Sequence, residues 1–161
     1  MGLDMYLHAC KKVVCPNCGE VIKGVGETEE IAYWRKAYAI QDWFSRHCAN
    51  GKLENCEQHP VTKDQLIELR DHCIKVLNSA SLISKEVAMN VYDPDLRKYV
   101  ERPVIRQIMD NVSVAEELIP DEDCIYDENY YTKLVNTVEQ IDRILEEINF
   151  NEYDVVYHGW W

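Results

Sequence analysis

Apolar and polar residues alternate at both ends of the chain, which is the pattern of a β-strand with one buried face. The alternating apolar positions are Leu3, Met5 and Leu7 near the N-terminus and Tyr153, Val155 and Tyr157 near the C-terminus. The sequence therefore predicts strands over residues 3–14 and 153–161. We expect these two strands to pair with each other.

Between the two ends, apolar residues recur every three or four positions, as they do in amphipathic helices. The pattern predicts a wide-striped helix over 28–48 capped by Thr28, and a second helix that begins with a capping box between Thr62 and Gln65. Shorter helices are predicted over 82–91 and from Pro103 to about 112. The clearest helical stripe is Leu134, Val138, Ile141, Leu145 and Ile148. The predicted fold is α+β and mainly helical, with about four helices on a small antiparallel sheet and a zinc-knuckle hairpin.

Length and composition indicate one globular domain. The chain has 161 residues, of which 47% are apolar, enough to bury a core. We expect a single domain over 1–161, with a strand and cysteine hairpin in 1–27 and an acidic region in 116–161. No apolar run approaches the roughly 18 residues that a membrane span needs, and the N-terminus lacks the layout of a signal peptide. These features predict a cytoplasmic protein.

The negative charge lies mostly in the C-terminal region. Residues 1–115 contain 15 basic and 16 acidic residues, whereas residues 116–161 contain 2 basic and 13 acidic residues. Their net charges of −1 and −11 add to the −12 of the chain. Such a surface repels nucleic-acid backbones and suits a basic protein partner, for example a nucleic-acid-binding protein that it blocks by mimicking phosphates. The residues predicted to bind this partner are Glu117, Asp121, Glu122, Asp123, Asp127 and Glu128.

The most specific motif is Cys15-Pro16-Asn17-Cys18-Gly19. Two cysteines at this spacing in a tight turn form half of a structural zinc site, and the valines around them predict that the turn is the tip of a hairpin. Zinc needs two further ligands. Cys10 is favoured, then Cys48, then His8; the other candidates are His47, Cys56 and His59. A metal-free reduced turn and a redox-active cysteine pair are the alternatives.

Two segments resemble a family of small phage and prophage proteins. They are Met1-Gly2-Leu3-Asp4-Met5-Tyr6-Leu7 and the run from Tyr33-Trp34-Arg35-Lys36-Ala37 to Trp43-Phe44, followed by Asn55-Cys56-Glu57 and Val61-Thr62. The family opens with this heptapeptide, carries the Tyr-Trp-Arg-Lys-Ala segment in a helix and ends in an aromatic strand. The resemblance implies a phage accessory protein that acts on host machinery, with counter-defence of the anti-CRISPR type as one role. The cysteine hairpin is not part of the usual opening, so the zinc prediction depends on the cysteines alone.

The sequence is also compatible with two other functions. The first is a small-molecule binder that sequesters a nucleotide signal, with a pocket near Arg35, Arg97 and Arg106. The second is a metal- or thiol-dependent enzyme, in which Cys48 or Cys56 would be paired with His47 or His59. No motif supplies an oxyanion hole or a third orienting group, so a binding protein without catalytic activity is favoured.

Overall fold

The computed structural model of the protein describes residues 2–22, 26–111, 117–119 and 126–161. Along these residues the chain forms eight strands and three helices. In chain order they are β1 (Asp4–Lys11), β2 (Val13–Val14), β3 (Val21–Ile22), β4 (Thr28–Arg35), α1 (Tyr38–Cys48), β5 (His59–Val61), α2 (Lys63–Ser79), β6 (Leu82–Asp93), β7 (Lys98–Met109), α3 (Glu128–Glu147) and β8 (Tyr153–Trp160).

The prediction of a mainly helical fold is wrong, because two predicted helices and the first part of a third are strands. Residues 28–35 form β4, and a helix begins only at Tyr38 after Lys36 adopts a positive φ of 51°. The predicted helices at 82–91 and from Pro103 onward are the strands β6 and β7, and the end at 112 lies outside the described residues. Apolar residues four apart fit one helix face but also one strand face, since four is a multiple of two. The β-branched residues Ile83, Val87, Val91, Val100, Val104 and Ile108 show this spacing and favour strands.

A four-stranded antiparallel sheet forms the body, with the order β4-β1-β8-β5. The predicted pairing of the terminal strands is confirmed, since β1 and β8 are adjacent and Leu7 lies opposite Tyr157. The two strands occupy the centre of this sheet although they come from opposite ends of the chain. Their long-range pairing therefore closes the domain.

The helices cover one face of this sheet. Met5 and Leu7 of β1 are buried in the core, in the same cluster as Trp43 and Phe44 of α1. The Phe44 ring stacks on Tyr157 of β8 with ring centroids 4.2 Å apart. The buried contributions of α2 and α3 are Leu66, Leu69, Cys73, Val76, Leu134, Ile141 and Ile144. The aromatic residues of the predicted first helix are therefore mainly core, and Cys73 is a core residue as well.

Two helices predicted from the sequence are confirmed, and α2 begins with the predicted capping box, whereas the cap of α3 was not predicted. At the start of α2 the Gln65 backbone N–H donates to Thr62 Oγ1, and the Thr62 backbone N–H donates to Gln65 Oε1. At the start of α3 the Tyr130 backbone N–H donates to Asp127 Oδ1 at 3.0 Å. Each cap satisfies an N–H group that a helix leaves without an internal partner.

A two-stranded ribbon, β6–β7, lies outside the four-stranded sheet. Both strands have 12 residues and are mostly exposed along their length. At its base, Arg106 binds Asp127 and the Met109 backbone N–H donates to the Tyr126 carbonyl at 2.6 Å. Six large apolar side chains of the ribbon and its turn are exposed, namely Ile83, Val91, Tyr92, Leu96, Tyr99 and Ile105.

Candidate functional site

The cysteine motif forms the turn of a short hairpin, as the sequence predicts. Strands β2 and β3 pair antiparallel, with Val14 opposite Val21. The Cys15 backbone N–H donates to the Glu20 carbonyl, and the Gly19 backbone N–H donates to the Cys15 carbonyl at 2.9 Å. Gly19 has a φ of +75°, a conformation that glycine adopts without steric cost. The motif therefore forms a tight turn that is closed by backbone hydrogen bonds.

The sulfur atoms of this turn are close together and partly exposed. Backbone N–H groups of Asn17 and Cys18 hydrogen-bond to the Cys15 sulfur, and the Cys18 side chain also hydrogen-bonds to it. These bonds stabilise the thiolate and lower the pKa of Cys15 below its ordinary value. Cys18 itself is exposed. A lowered pKa favours the thiolate, which is the form that binds a metal ion and also the form that reacts in redox chemistry.

The two favoured additional ligands lie on other elements. Cys10 is on β1, where its sulfur accepts a hydrogen bond from Thr28 Oγ1 at 3.6 Å. Cys48 ends α1 beside the core, where burial and the nearby Glu68 raise its pKa to about 12. A neutral thiol is a poor zinc ligand, since metal binding requires its deprotonation. Cys15 and Cys18 thus lie together in the hairpin turn, whereas Cys10 lies on β1 and Cys48 lies at the end of α1.

The remaining candidate ligands are also dispersed. His47 Nε2 lies 3.3 Å from Glu117 Oε2. Cys56 lies in the loop between α1 and β5, and its backbone N–H donates to the carbonyl of Gly159 on β8 at 2.8 Å. His8 and His59 lie on strands of the four-stranded sheet. Across residues 2–22, 26–111, 117–119 and 126–161, no three His, Cys, Asp or Glu side chains are arranged to hold a metal ion.

The predicted acidic contacts have different surroundings. Glu117 is bound by Arg46, whose two terminal nitrogens donate to its carboxylate and its carbonyl at 2.6 Å. This guanidinium and His47 hold the pKa of Glu117 below its usual range. Asp127 is buried and caps α3, so it is a structural residue and not an exposed contact. Glu128 is exposed, whereas Asp121, Glu122 and Asp123 lie outside the described residues.

A second acidic surface, missed by the sequence analysis, lies between β4 and the end of α3. We name it the β4–α3 groove. It is a cavity of about 520 Å³ lined by Glu29, Glu30, Ile31, Arg143, Ile144, Glu147, Ile148 and Tyr153. An adjoining cavity of about 370 Å³ shares Glu29 and Tyr153 and adds Glu27, Thr28 and Lys11. Acids from distant parts of the chain therefore meet here beside apolar side chains.

Side chains of α3 shape this groove by binding the outer edge of β4. Gln140 binds the backbone of Tyr33 through both of its amide atoms, at 2.8 Å and 3.1 Å. Arg143 donates to the Ile31 carbonyl at 2.9 Å. The guanidinium of Arg143 is thus bound to the backbone of β4. The side chains of Glu29, Glu30 and Glu147 line the groove beside it. The signal in the sequence is the pair Glu29 and Glu30, which also fits the first turn of the helix predicted over 28–48.

The thiol–histidine arrangement does not favour catalysis by Cys48. Cys48 and His59 line one open cavity of about 570 Å³, together with Glu57. His59 is buried and its Nε2 lies 3.4 Å from Glu57 Oε2. However, the raised pKa of Cys48 is the opposite of the change that activates a nucleophilic thiol.

The three arginines considered for a nucleotide pocket lie on separate elements. Arg35 ends β4 with its side chain 4.0 Å from Asp4. Arg97 is in the turn between β6 and β7, whereas Arg106 binds Asp127 near the ribbon base. Nine residues of extended strand span about 30 Å, so Arg97 and Arg106 are far apart.

Aromatic and histidine rings form a column on the sheet face opposite the helices. Tyr33 packs against Tyr6 with centroids 5.2 Å apart, Tyr6 stacks on His158 at 5.0 Å, and His158 stacks on His8 at 5.0 Å. Burial and the neighbouring His8 lower the pKa of His158. The column lies beside acids, including Asp4 and Glu30, which disfavours a nucleic-acid backbone here.

Comparisons with known proteins identified no relative of this chain. No family model, curated protein or solved structure matches the chain. Within the part of the chain that the structure describes, no helix combines the length and the apolar character needed to cross a membrane.

Proposed function

We propose that this protein is a non-catalytic inhibitor that binds a basic host protein. The observation that carries the proposal is the β4–α3 groove, where Glu29, Glu30 and Glu147 meet beside apolar side chains. Carboxylates next to an apolar floor suit the charged head and the aliphatic stem of an arginine or lysine side chain. The charge of −11 over residues 116–161 would attract such a partner over a longer range.

The proposed target class is a nucleic-acid-binding defence protein, as in inhibitors of the anti-CRISPR type. Such proteins expose basic surfaces for phosphate backbones, and an acidic protein competes for them. The resemblance to phage proteins supports the same class. A zinc ion held by Cys15 and Cys18 would have a structural role in this function.

Binding of an arginine-rich peptide, measured by calorimetry, tests the groove. The variant in which Glu29, Glu30 and Glu147 are changed to Gln should bind the peptide more weakly by on the order of tenfold or more. Binding by the unmodified protein should also weaken as salt screens the charges.

A matched variant separates the groove from net charge. Changing the exposed Glu68, Glu86 and Glu101 to Gln alters the net charge of the chain by the same amount but leaves the groove intact. This variant should bind the peptide nearly as well as the unmodified protein. Equal weakening of binding in both variants would show that the groove is not the binding site.

The biological role is tested by phage plating on hosts with and without an active CRISPR system. Expression of the protein should raise the phage titre only where the system is active, and the groove variant should lose this effect. No change in titre for a panel of CRISPR types would exclude the anti-CRISPR role while leaving the peptide result intact.

A further inference from the structure

The β2–β3 hairpin presents its two cysteines away from the core. Neither strand of the hairpin contains a buried residue. Cys18 is exposed, and so are the apolar side chains of Val14, Val21 and Ile22 next to the turn. Exposed apolar side chains grouped around a metal-binding turn are typical of a surface that a partner covers.

The position of the hairpin separates it from Cys56, another candidate ligand. At its base, the Lys11 and Lys12 backbone N–H groups are bound by the carbonyls of Glu27 and Glu152. The base is therefore next to the start of β8, whereas Cys56 binds Gly159 near the other end of that strand. Six residues of strand span about 20 Å, too far for a shared zinc ion.

Cys10 is the nearest candidate along the chain, but it belongs to the four-stranded sheet. It lies opposite Thr28 and Asp154, and its sulfur contacts Thr28 Oγ1. The hairpin turn begins beyond the two anchored lysines. The described part of one chain therefore supplies two ligands, Cys15 and Cys18, where a structural zinc ion needs four.

We propose that a second copy of this chain supplies the other two ligands, so that one zinc ion joins two hairpins through Cys15 and Cys18 of each. A two-fold axis through the metal makes the two pairs of sulfur atoms equivalent, as in a closed symmetric dimer. Val14, Val21 and Ile22 of both copies would pack around the site and lose contact with water. The four thiols release their protons to solvent on binding, and the zinc ion keeps its oxidation state.

The proposal is independent of the β4–α3 groove. The groove lies on β4 and α3, and the zinc site requires only the hairpin. A protein that binds a basic peptide but remains a monomer with zinc would contradict this proposal alone. A zinc-linked dimer that does not bind the peptide would contradict the proposed function alone.

The test is the zinc content and the mass in solution of the reduced protein, measured with zinc added and after chelation. We expect one zinc ion per two chains and a dimer, which dissociates when the metal is removed. Cobalt in place of zinc should give the absorption spectrum of a tetrahedral site with four thiolates. One zinc ion per monomer, or a protein that takes up no zinc, would overturn the proposal.

Three single variants identify the ligands. Cys18→Ser should abolish zinc binding and dimer formation while the far-UV circular dichroism stays unchanged, because the hairpin has no buried residue. Cys56→Ser is the matched control, since Cys56 is also an exposed thiol. Cys124, outside the described residues, is tested in the same way. Loss of zinc in Cys124→Ser, or a dimer that persists in Cys18→Ser, would contradict the proposed ligand set.

Discussion

Gln140 of α3 binds both backbone polar groups of Tyr33 on β4, the edge strand of the main sheet. The Tyr33 backbone N–H donates to Gln140 Oε1 at 2.8 Å, and Gln140 Nε2 donates to the Tyr33 carbonyl at 3.1 Å. A free sheet edge can pair with other chains, and side chains that occupy it prevent this. The same contact holds α3 beside β4 and so forms one wall of the β4–α3 groove.

Replacing this side chain should destabilise the fold. Gln140→Ala removes two hydrogen bonds and is expected to lower the free energy of unfolding by about 1–2 kcal/mol. Urea unfolding measures the change. Gln107→Ala is the control, since Gln107 donates to Ser84 on the exposed ribbon, and it should change stability by less than about 0.5 kcal/mol. Equal losses of unfolding free energy in the two variants would show that the contact between Gln140 and β4 stabilises the fold no more than the contact on the ribbon.

Asp127 both caps α3 and binds Arg106 of β7 at 2.8 Å. Asp127→Ala should lower the free energy of unfolding by about 2–4 kcal/mol, because the helix loses its cap and the guanidinium loses its partner. Asp127→Ser keeps a capping oxygen without the charge, so its loss should be about half as large. If the two variants are equally unstable in denaturant, the ion pair and not the cap is the important contact.

Protonation of His158 should destabilise the protein. Burial and His8 lower its pKa in the folded state below the 6.5 of a free imidazole, while Glu30 opposes the shift. The unfolded chain therefore binds more protons just below pH 6.5, and the free energy of unfolding falls as the pH decreases through that range. His158→Phe keeps a ring beside Tyr6 without the titration. Chemical unfolding between about pH 7.5 and about pH 5 should show a smaller pH dependence in this variant; an unchanged dependence would exclude His158 as the cause.

The β6–β7 ribbon should open more readily than the main sheet. A two-stranded ribbon with both faces largely in water is marginally stable alone, whereas β1 has strands on both sides and a buried face. Backbone amides of β6 and β7 should therefore exchange with deuterium orders of magnitude faster than those of β1. Equal protection measured by mass spectrometry would contradict this expectation.

The candidate site was predictable only in part. The spacing of Cys15 and Cys18 indicates the tight turn, because the turn is local and each of its hydrogen bonds joins residues within six positions. The surroundings of Asp127 were not predictable, since its partner Arg106 is 21 residues away. The β4–α3 groove brings Glu29 and Glu147 together from distant segments, and local patterns carry no information about that contact.

The sequence alone determined the features that depend on nearest neighbours: the capping box of Thr62 and Gln65, the amphipathic stripe of α3, the alternation in β1 and β8, and the cysteine turn. Only the tertiary structure decided whether the ambiguous segments at 28–35, 82–93 and 98–109 became helices or strands. In the second and third segments, apolar residues spaced by four satisfy both periods. Each segment becomes a strand because it forms hydrogen bonds with a partner strand. The first segment pairs with β1, and the second and third pair with each other.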